Sequence, residues 1–240
     1  MKHQVPGLPE VGARDGLAYA LFMPDDSPAS GVVIVHGAGS AKESHFDFAR
    51  AARASGIAAL AFDMRGHGHS DGEFGPTAFG DVLAMCDLMR TRAPQVAIRG
   101  SSMGGFCAIH AAALDATVAA VVAISPAPED FLLRGLRSDG LRDFRADRTR
   151  LEPWLESLDL KAAAALLSPA TALLLLHAQG DEQVPYAVSE ELAAAAGEPK
   201  RLLVVPGGHH RSVQHDLELQ AVSLRFIEQA AGGGRDRTER

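Results

Sequence analysis

Of the chain's 240 residues only two are cysteine, two are tyrosine and one is tryptophan. Cys86 and Cys107 each lie in a stretch that reads as a buried helix. Two such thiols cannot build the multi-bridge framework of a small secreted domain, and a reducing compartment is expected. Positive charge is also scarce: 23 Lys and Arg face 30 Asp and Glu, a formal net charge of −7 with an isoelectric point near 5.8. A nucleic-acid partner is set aside on that ground, because phosphate binding draws most of its affinity from a basic surface. Long apolar runs are missing as well. The longest are strand-length and broken by polar or turn residues, so no membrane span is expected. The opening MKHQVPGLPE holds no apolar stretch of the secretory kind. The cytoplasm is the simplest address.

What remains is ordinary for a soluble globular protein: 47% hydrophobic and 22% charged residues. The length suffices for a sizeable core, and one domain over residues 1–231 is the expectation, with the Gly-rich, charged segment 232–240 as a frayed tail. Short β-rich apolar runs alternate with helical patterns, the signature of βαβ units wound into a mostly parallel sheet. Strands are predicted at Leu17–Phe22, Gly31–Val35, Ile57–Phe62, Gln95–Arg99, Val118–Ile124, Ala172–His177 and Arg201–Val205. Helices are predicted near Glu43–Ala54, Thr77–Thr91, Met103–Leu114, Pro185–Ala196 and Gln214–Ala230, from apolar residues recurring at three- and four-residue spacing. The rhythm breaks once, over 126–168. There Phe131, Leu132, Leu136, Leu141, Phe144, Leu151, Trp154, Leu155 and Leu158 recur as on an amphipathic helix pair laid across something apolar. Arginines between them alternate with Asp139, Asp143, Asp147 and Glu152, which favours a solvated helix face over an anion site.

The chemistry concentrates at three loops that each follow a strand. Gly100-Ser101-Ser102-Met103-Gly104 comes directly after the strand QVAIR and opens a helix. Glycines flank the serine where a strand turns so tightly into a helix that side chains would clash, which leaves the hydroxyl exposed. A serine hydroxyl needs a base to take its proton, and that base needs an orienting acid. Asp181 follows the strand TALLLLHA and His210 follows RLLVVP, so Ser102, Asp181 and His210 are all expected at the C-terminal edge of the sheet, where catalytic groups of open parallel sheets collect. Glu182 and Asp159 compete for the acid's role, and His209 for the base's. His215 and Asp216 read as surface residues opening the last helix. For the developing oxyanion, the Met103 N–H follows the nucleophile. The Ala38 N–H in His36-Gly37-Ala38-Gly39 is the second candidate.

These segments, together with Asp63-Met64-Arg65-Gly66-His67-Gly68-His69-Ser70, resemble the α/β-hydrolase family over nearly the whole chain. The resemblance implies an α/β-hydrolase fold: a mostly parallel central sheet flanked by helices, with 126–168 as a short helical cap. It gives the loop holding His67 and His69 a role in supporting the oxyanion turn, and two histidines in one Gly-rich loop are a weak zinc signal. Gly-x-Ser-Met-Gly-Gly elbows are similar to those of serine esterases and peptidase-like hydrolases. Ser101 stands where many relatives carry histidine, a departure from the monoacylglycerol-lipase-like branch. Hydrolysis of a small or medium acyl or aryl ester through an acyl-enzyme is the leading expectation, with no cofactor, no metal and a small-molecule substrate as partner. Thioester or amide hydrolysis would use the same machinery. A binding module that has lost its chemistry is the alternative from another class.

Overall fold

The computed structural model describes residues 7–138 and 143–233. The tail expected over 232–240 falls outside them from 234 onward, as do Asp139, Leu141 and Arg142, while Gly232 and Gly233 close the last helix.

The sheet has eight strands in the order β1-β2-β4-β3-β5-β6-β7-β8. They are β1 Glu10–Arg14, β2 Leu17–Phe22, β3 Ser30–Val35, β4 Ala58–Phe62, β5 Gln95–Ser101, β6 Val118–Ile124, β7 Ala172–Ala178 and β8 Lys200–Val205. From β3 to β8 neighbours run parallel, whereas β2 lies antiparallel to β4, and β1 antiparallel to β2. Strand β1 is absent from the sequence expectation. It is an exposed edge strand without an apolar face, but its signal stood beside it: Asp15-Gly16, at φ 53° and 78°, forms the two-residue hairpin turn that selects Asp-Gly.

Central strands are buried on both faces, which is why they read as unbroken apolar runs. All six residues of β3 are buried. Alternate residues feed separate cores: Val33 and Val35 join one layer with Met85, Phe106 and Ile109, while Val32 and Ile34 join the other with Phe48 and Ile227. The first layer belongs to helices α2 (Ala78–Arg90) and α3 (Met103–Leu114), the second to α1 (Phe46–Ala54) and α9 (Leu217–Gly233).

Several boundaries differ for local physical reasons. The helix predicted over Glu43–Ala54 is a 3₁₀ turn, Lys42–His45, followed by α1, and the one predicted over Pro185–Ala196 is α7, Ala187–Ala195. The last helix begins at Leu217 because Asp216 leaves the helical conformation and its carboxylate accepts the Glu218 and Leu219 N–H groups, capping α9. His215 instead ends the short helix α8, Ser212–His215.

Between β6 and β7 lie α4 (Glu129–Arg137), α5 (Arg148–Glu156) and α6 (Leu160–Ala165), three helices where the apolar pattern suggested a pair. Asp147 caps α5 and Asp159 caps α6, each accepting a backbone N–H of the first turn. Asp159 is thus a helix cap and not a partner for the candidate base. The apolar residues of this segment merge with the main core. Trp154 packs against Phe74, Phe79 and Phe106 with ring centroids 5.1–6.3 Å apart. On the outer side Arg134 pairs with Asp130, and Arg137 with Glu152 and Glu156, the solvated face expected from interspersed acids. The two cysteines are buried and unpaired in α2 and α3, and burial pushes the Cys86 thiol up to about 12. No helix among the described residues is long and apolar enough to cross a membrane.

Candidate active site

Strand β5 runs straight into Ser102, which stands at φ 54°, ψ −120°, a strained conformation for a side chain with Cβ. Neighbouring backbone holds it there. The Ser102 N–H donates to the Ile124 carbonyl at the end of β6 (2.8 Å), and the Ser102 carbonyl accepts N–H groups of Phe106 (3.1 Å) and Ala127 (3.2 Å). The flanking glycines are dictated by contact: a Cβ on Gly100 would overlap the Gly104 carbonyl, and one on Gly104 would overlap the carbonyls of Val35 and His36. Ser101 is buried within β5, so only Ser102 occupies the apex of the turn.

Asp181 and His210 meet because the loops after β7 and β8 are bound to each other. Gln179 N–H donates to the Val205 carbonyl (2.8 Å) and Gly180 N–H to the Gly207 carbonyl (2.9 Å). His210 Nδ1 then lies 2.8 Å from Asp181 Oδ2 and 3.1 Å from Oδ1. A carboxylate only accepts, so Nδ1 carries the proton and Nε2 presents a bare lone pair. Burial would push the Asp181 carboxyl up. Hydrogen bonds from His177, His210 and the backbone N–H groups of Val184 and Gln183 outweigh it and hold the group far below the ordinary carboxylate range.

Geometry sets the rivals apart. His209 is exposed, its backbone N–H bonded to Ser212 Oγ and its ring to the Arg211 N–H. Glu182 Oε2 accepts the His210 backbone N–H at 3.1 Å, so it holds the loop and leaves the imidazole to Asp181. Sequence reasoning missed His177. It is fully buried, with Nε2 3.3 Å from Asp181 Oδ2 and 2.9 Å from the Val184 carbonyl, and Nδ1 2.7 Å from Ser189 Oγ. Its only sequence signal is a histidine closing an otherwise apolar strand four residues before Asp181.

Ser102 Oγ makes no hydrogen bond to His210 among the described residues, and neither Ser102 Oγ nor His210 Nε2 is sealed from solvent. Such contacts are often long in a free enzyme and tighten only with substrate bound.

The turn after β3 lies beside the elbow: a Cβ on Gly37 would stand 3.4 Å from both Ser102 Cβ and the Ser101 carbonyl. Met103 is the first residue of α3, so its N–H has no acceptor within the helix. Ala38 is half-buried in the turn closed by Ser40 N–H on the Gly37 carbonyl, 3.2 Å. The loop after β4 braces this turn. His67 Nε2 accepts the Gly39 N–H (3.2 Å), His36 Nε2 accepts the Met64 N–H (3.0 Å), and buried Asp63 takes both the backbone N–H and the ammonium of Lys42 (2.8 and 2.7 Å). His67 thus acts as a structural acceptor, whereas His69 is exposed beside Lys42.

To accept that bond His67 must be neutral, and burial first, then the neighbouring His36, lower it to about 4. His110, buried between Phe79 and Phe106, is also lowered to about 4 by burial. The unfolded chain protonates these rings near 6.5 while the folded chain resists until about 4. Their stabilisation is therefore complete above pH 6.5 and is lost progressively as pH falls, by up to about 3 kcal/mol each. Melting temperature is expected to fall by about 10 °C or more between pH 7 and 4.5. His110→Phe, which removes a sealed and unpartnered Nε2, should make that fall smaller, the remainder coming from His67 and from His36 and His45, which burial also lowers. An unchanged pH slope in the variant would refute the assignment.

A family profile described as serine aminopeptidase, S33, matches residues 26–132. The uncharacterized protein Rv2307c of Mycobacterium tuberculosis is 31% identical over 215 residues, covering 83% of this chain and 70% of that protein. The chain belongs to the α/β-hydrolase family. Among solved structures, this hydrolase resembles Est1E from Butyrivibrio proteoclasticus with a TM-score of 0.72 at 18% identity, over 94% of this chain and 100% of that one. It also resembles a thermostable carboxyl esterase from Bacillus coagulans with a TM-score of 0.75 at 16% identity, over 93% and 98%. At such identities these likenesses speak to the hydrolase's fold.

Proposed function

We propose that this hydrolase cleaves carboxylic esters through an acyl-enzyme on Ser102. The observation that carries the reading is the His210 ring, locked by Asp181 at Nδ1 and free at Nε2, on the same sheet edge as a serine held at positive φ. Ser102 Oγ attacks the acyl carbon and its proton passes to His210 Nε2. The resulting oxyanion takes hydrogen bonds from the Ala38 and Met103 N–H groups, each worth a few kcal/mol in a water-poor site. Collapse expels the alcohol, which leaves with the proton from His210. Water, deprotonated by the same nitrogen, then attacks the acyl-enzyme; collapse breaks the bond to Ser102 Oγ, which regains its proton from His210, and releases the carboxylic acid. Asp181 stays ionised throughout and stabilises the imidazolium. Every step is proton transfer and acyl transfer within this residue set.

The likeness to carboxyl esterases in fold supports esters over other acyl groups, and the cap's fusion with the core supports small, medium or aryl acyl groups over long lipids. The match to the serine aminopeptidase family favours one second reading, amide hydrolysis by the same machinery. Turnover of nitrophenyl esters of increasing acyl length, with amino-acid nitroanilides in parallel, separates the two. Highest kcat/KM for short or medium esters is expected. Nitroanilides exceeding every ester would transfer the assignment to the peptidase reading.

A further inference from the structure

Arg99 closes the strand predicted over Gln95–Arg99. It precedes Gly100 in β5 and is fully buried, with its guanidinium carbon 4.0 Å from the centroid of the Phe48 ring. No carboxylate pairs with it among the described residues, and Nε and Nη1 have no acceptor. Among the described residues the guanidinium's one hydrogen bond runs from Nη2 to the Gln214 carbonyl, 2.9 Å away and 115 positions along the chain. A cation buried with so little compensation is costly to the fold, and burial lowers the group to about 10, still charged at neutral pH.

The bond's two ends explain what that cost sustains. Arg99 lies three residues before Ser102, and Gln214 four residues after His210. The Gln214 carbonyl is shared with Gln220 Nε2 (3.2 Å), which also donates to Asp47 Oδ2 (2.9 Å), itself 3.0 Å from His215 Nδ1. Strand β5, the α8 turn, α9 and α1 are thereby tied at one point beneath the sheet edge. Because Ser102 and His210 do not bond each other directly, their spacing depends on how the elements that carry them are held.

We propose that Arg99 is a positioning residue, whose bond to the Gln214 carbonyl sets the distance between the strand bearing Ser102 and the turn bearing His210. The inference rests on the reading of those two residues as nucleophile and base. Displacements of a reacting pair by an ångström cost up to about a hundredfold in rate. Arg99→Met keeps the volume and removes both the buried charge and the tie. Assayed with nitrophenyl butyrate, its kcat is expected to fall at least about tenfold with KM little changed, while the melting temperature holds or rises. Arg99→Lys should recover part of the rate. A purely structural role would lower melting and leave kcat per folded molecule unchanged.

Should Arg99→Met not fold, Gln220→Met removes the second donor to the same carbonyl, and a kcat loss of a few-fold at constant KM is expected. A kcat within twofold of wild type in folded Arg99→Met, or in Gln220→Met where that variant must stand in, overturns the proposal. Retention of full turnover by Ser102→Ala would instead overturn the underlying reading and the clamp with it.

Discussion

Replacing Ser102 by alanine is expected to lower kcat toward nitrophenyl esters by on the order of 10⁴- to 10⁶-fold, the loss seen when the nucleophile of a Ser-His-Asp set is removed. The same variant should melt within a degree or two of wild type. The elbow at φ 54° is held by backbone bonds to Ile124, Phe106 and Ala127 that alanine keeps, and among the described residues Ser102 Oγ makes no hydrogen bond. Ser101→Ala provides the internal control, because Ser101 is buried inside β5 and cannot reach a substrate at the apex. Steady-state kinetics with thermal melting on the three proteins would decide the point. Turnover by Ser102→Ala within tenfold of wild type would mean that another group carries the acyl chain.

The paired histidines provide the second large effect. His210→Ala removes the only imidazole bonded to Asp181 from the loop after β8, and a loss of about 10⁴-fold or more in kcat is expected. His209→Ala removes an exposed ring whose Nδ1 accepts the Arg211 backbone N–H, and activity should stay within about threefold of wild type. Asp181→Asn should fall near His210→Ala, at about 10⁴-fold, because an amide no longer enforces the tautomer that leaves Nε2 bare. Values of kcat/KM for the three variants give the ranking directly, and a greater loss at His209 than at His210 would reverse the assignment of the base.

Much of this architecture is legible in the chain because its physics is local. Parallel strands buried on both faces spell themselves as GVVIV or VAAVVAI, and a strand followed by Gly-Ser-Ser-Met-Gly announces the elbow through steric necessity. The chain order of Ser102, Asp181 and His210, each after a strand, brings their loops to one edge once the sheet is parallel. What escaped the sequence is non-local. His177 reads as one more residue of an apolar strand until folding sets it against Asp181 and Ser189. Arg99 reads as a strand end until α8 arrives from 115 positions away. Edge strand β1 lacks an apolar face to betray it, and only the Asp15-Gly16 turn marks where it pairs. In the cap, apolar spacing revealed an amphipathic surface, yet the division into three helices depends on Asp147 and Asp159 serving as helix caps.

The most direct test of an acyl-transfer site at Ser102 is to treat the purified protein with a fluorophosphonate and locate the adduct by peptide mass spectrometry. One phosphonyl group per chain, confined to the peptide that contains Ser102, absent from Ser102→Ala and formed far more slowly in His210→Ala, is the expected result. An unlabelled wild-type protein, or an adduct on any other residue, would contradict Ser102 as the nucleophile.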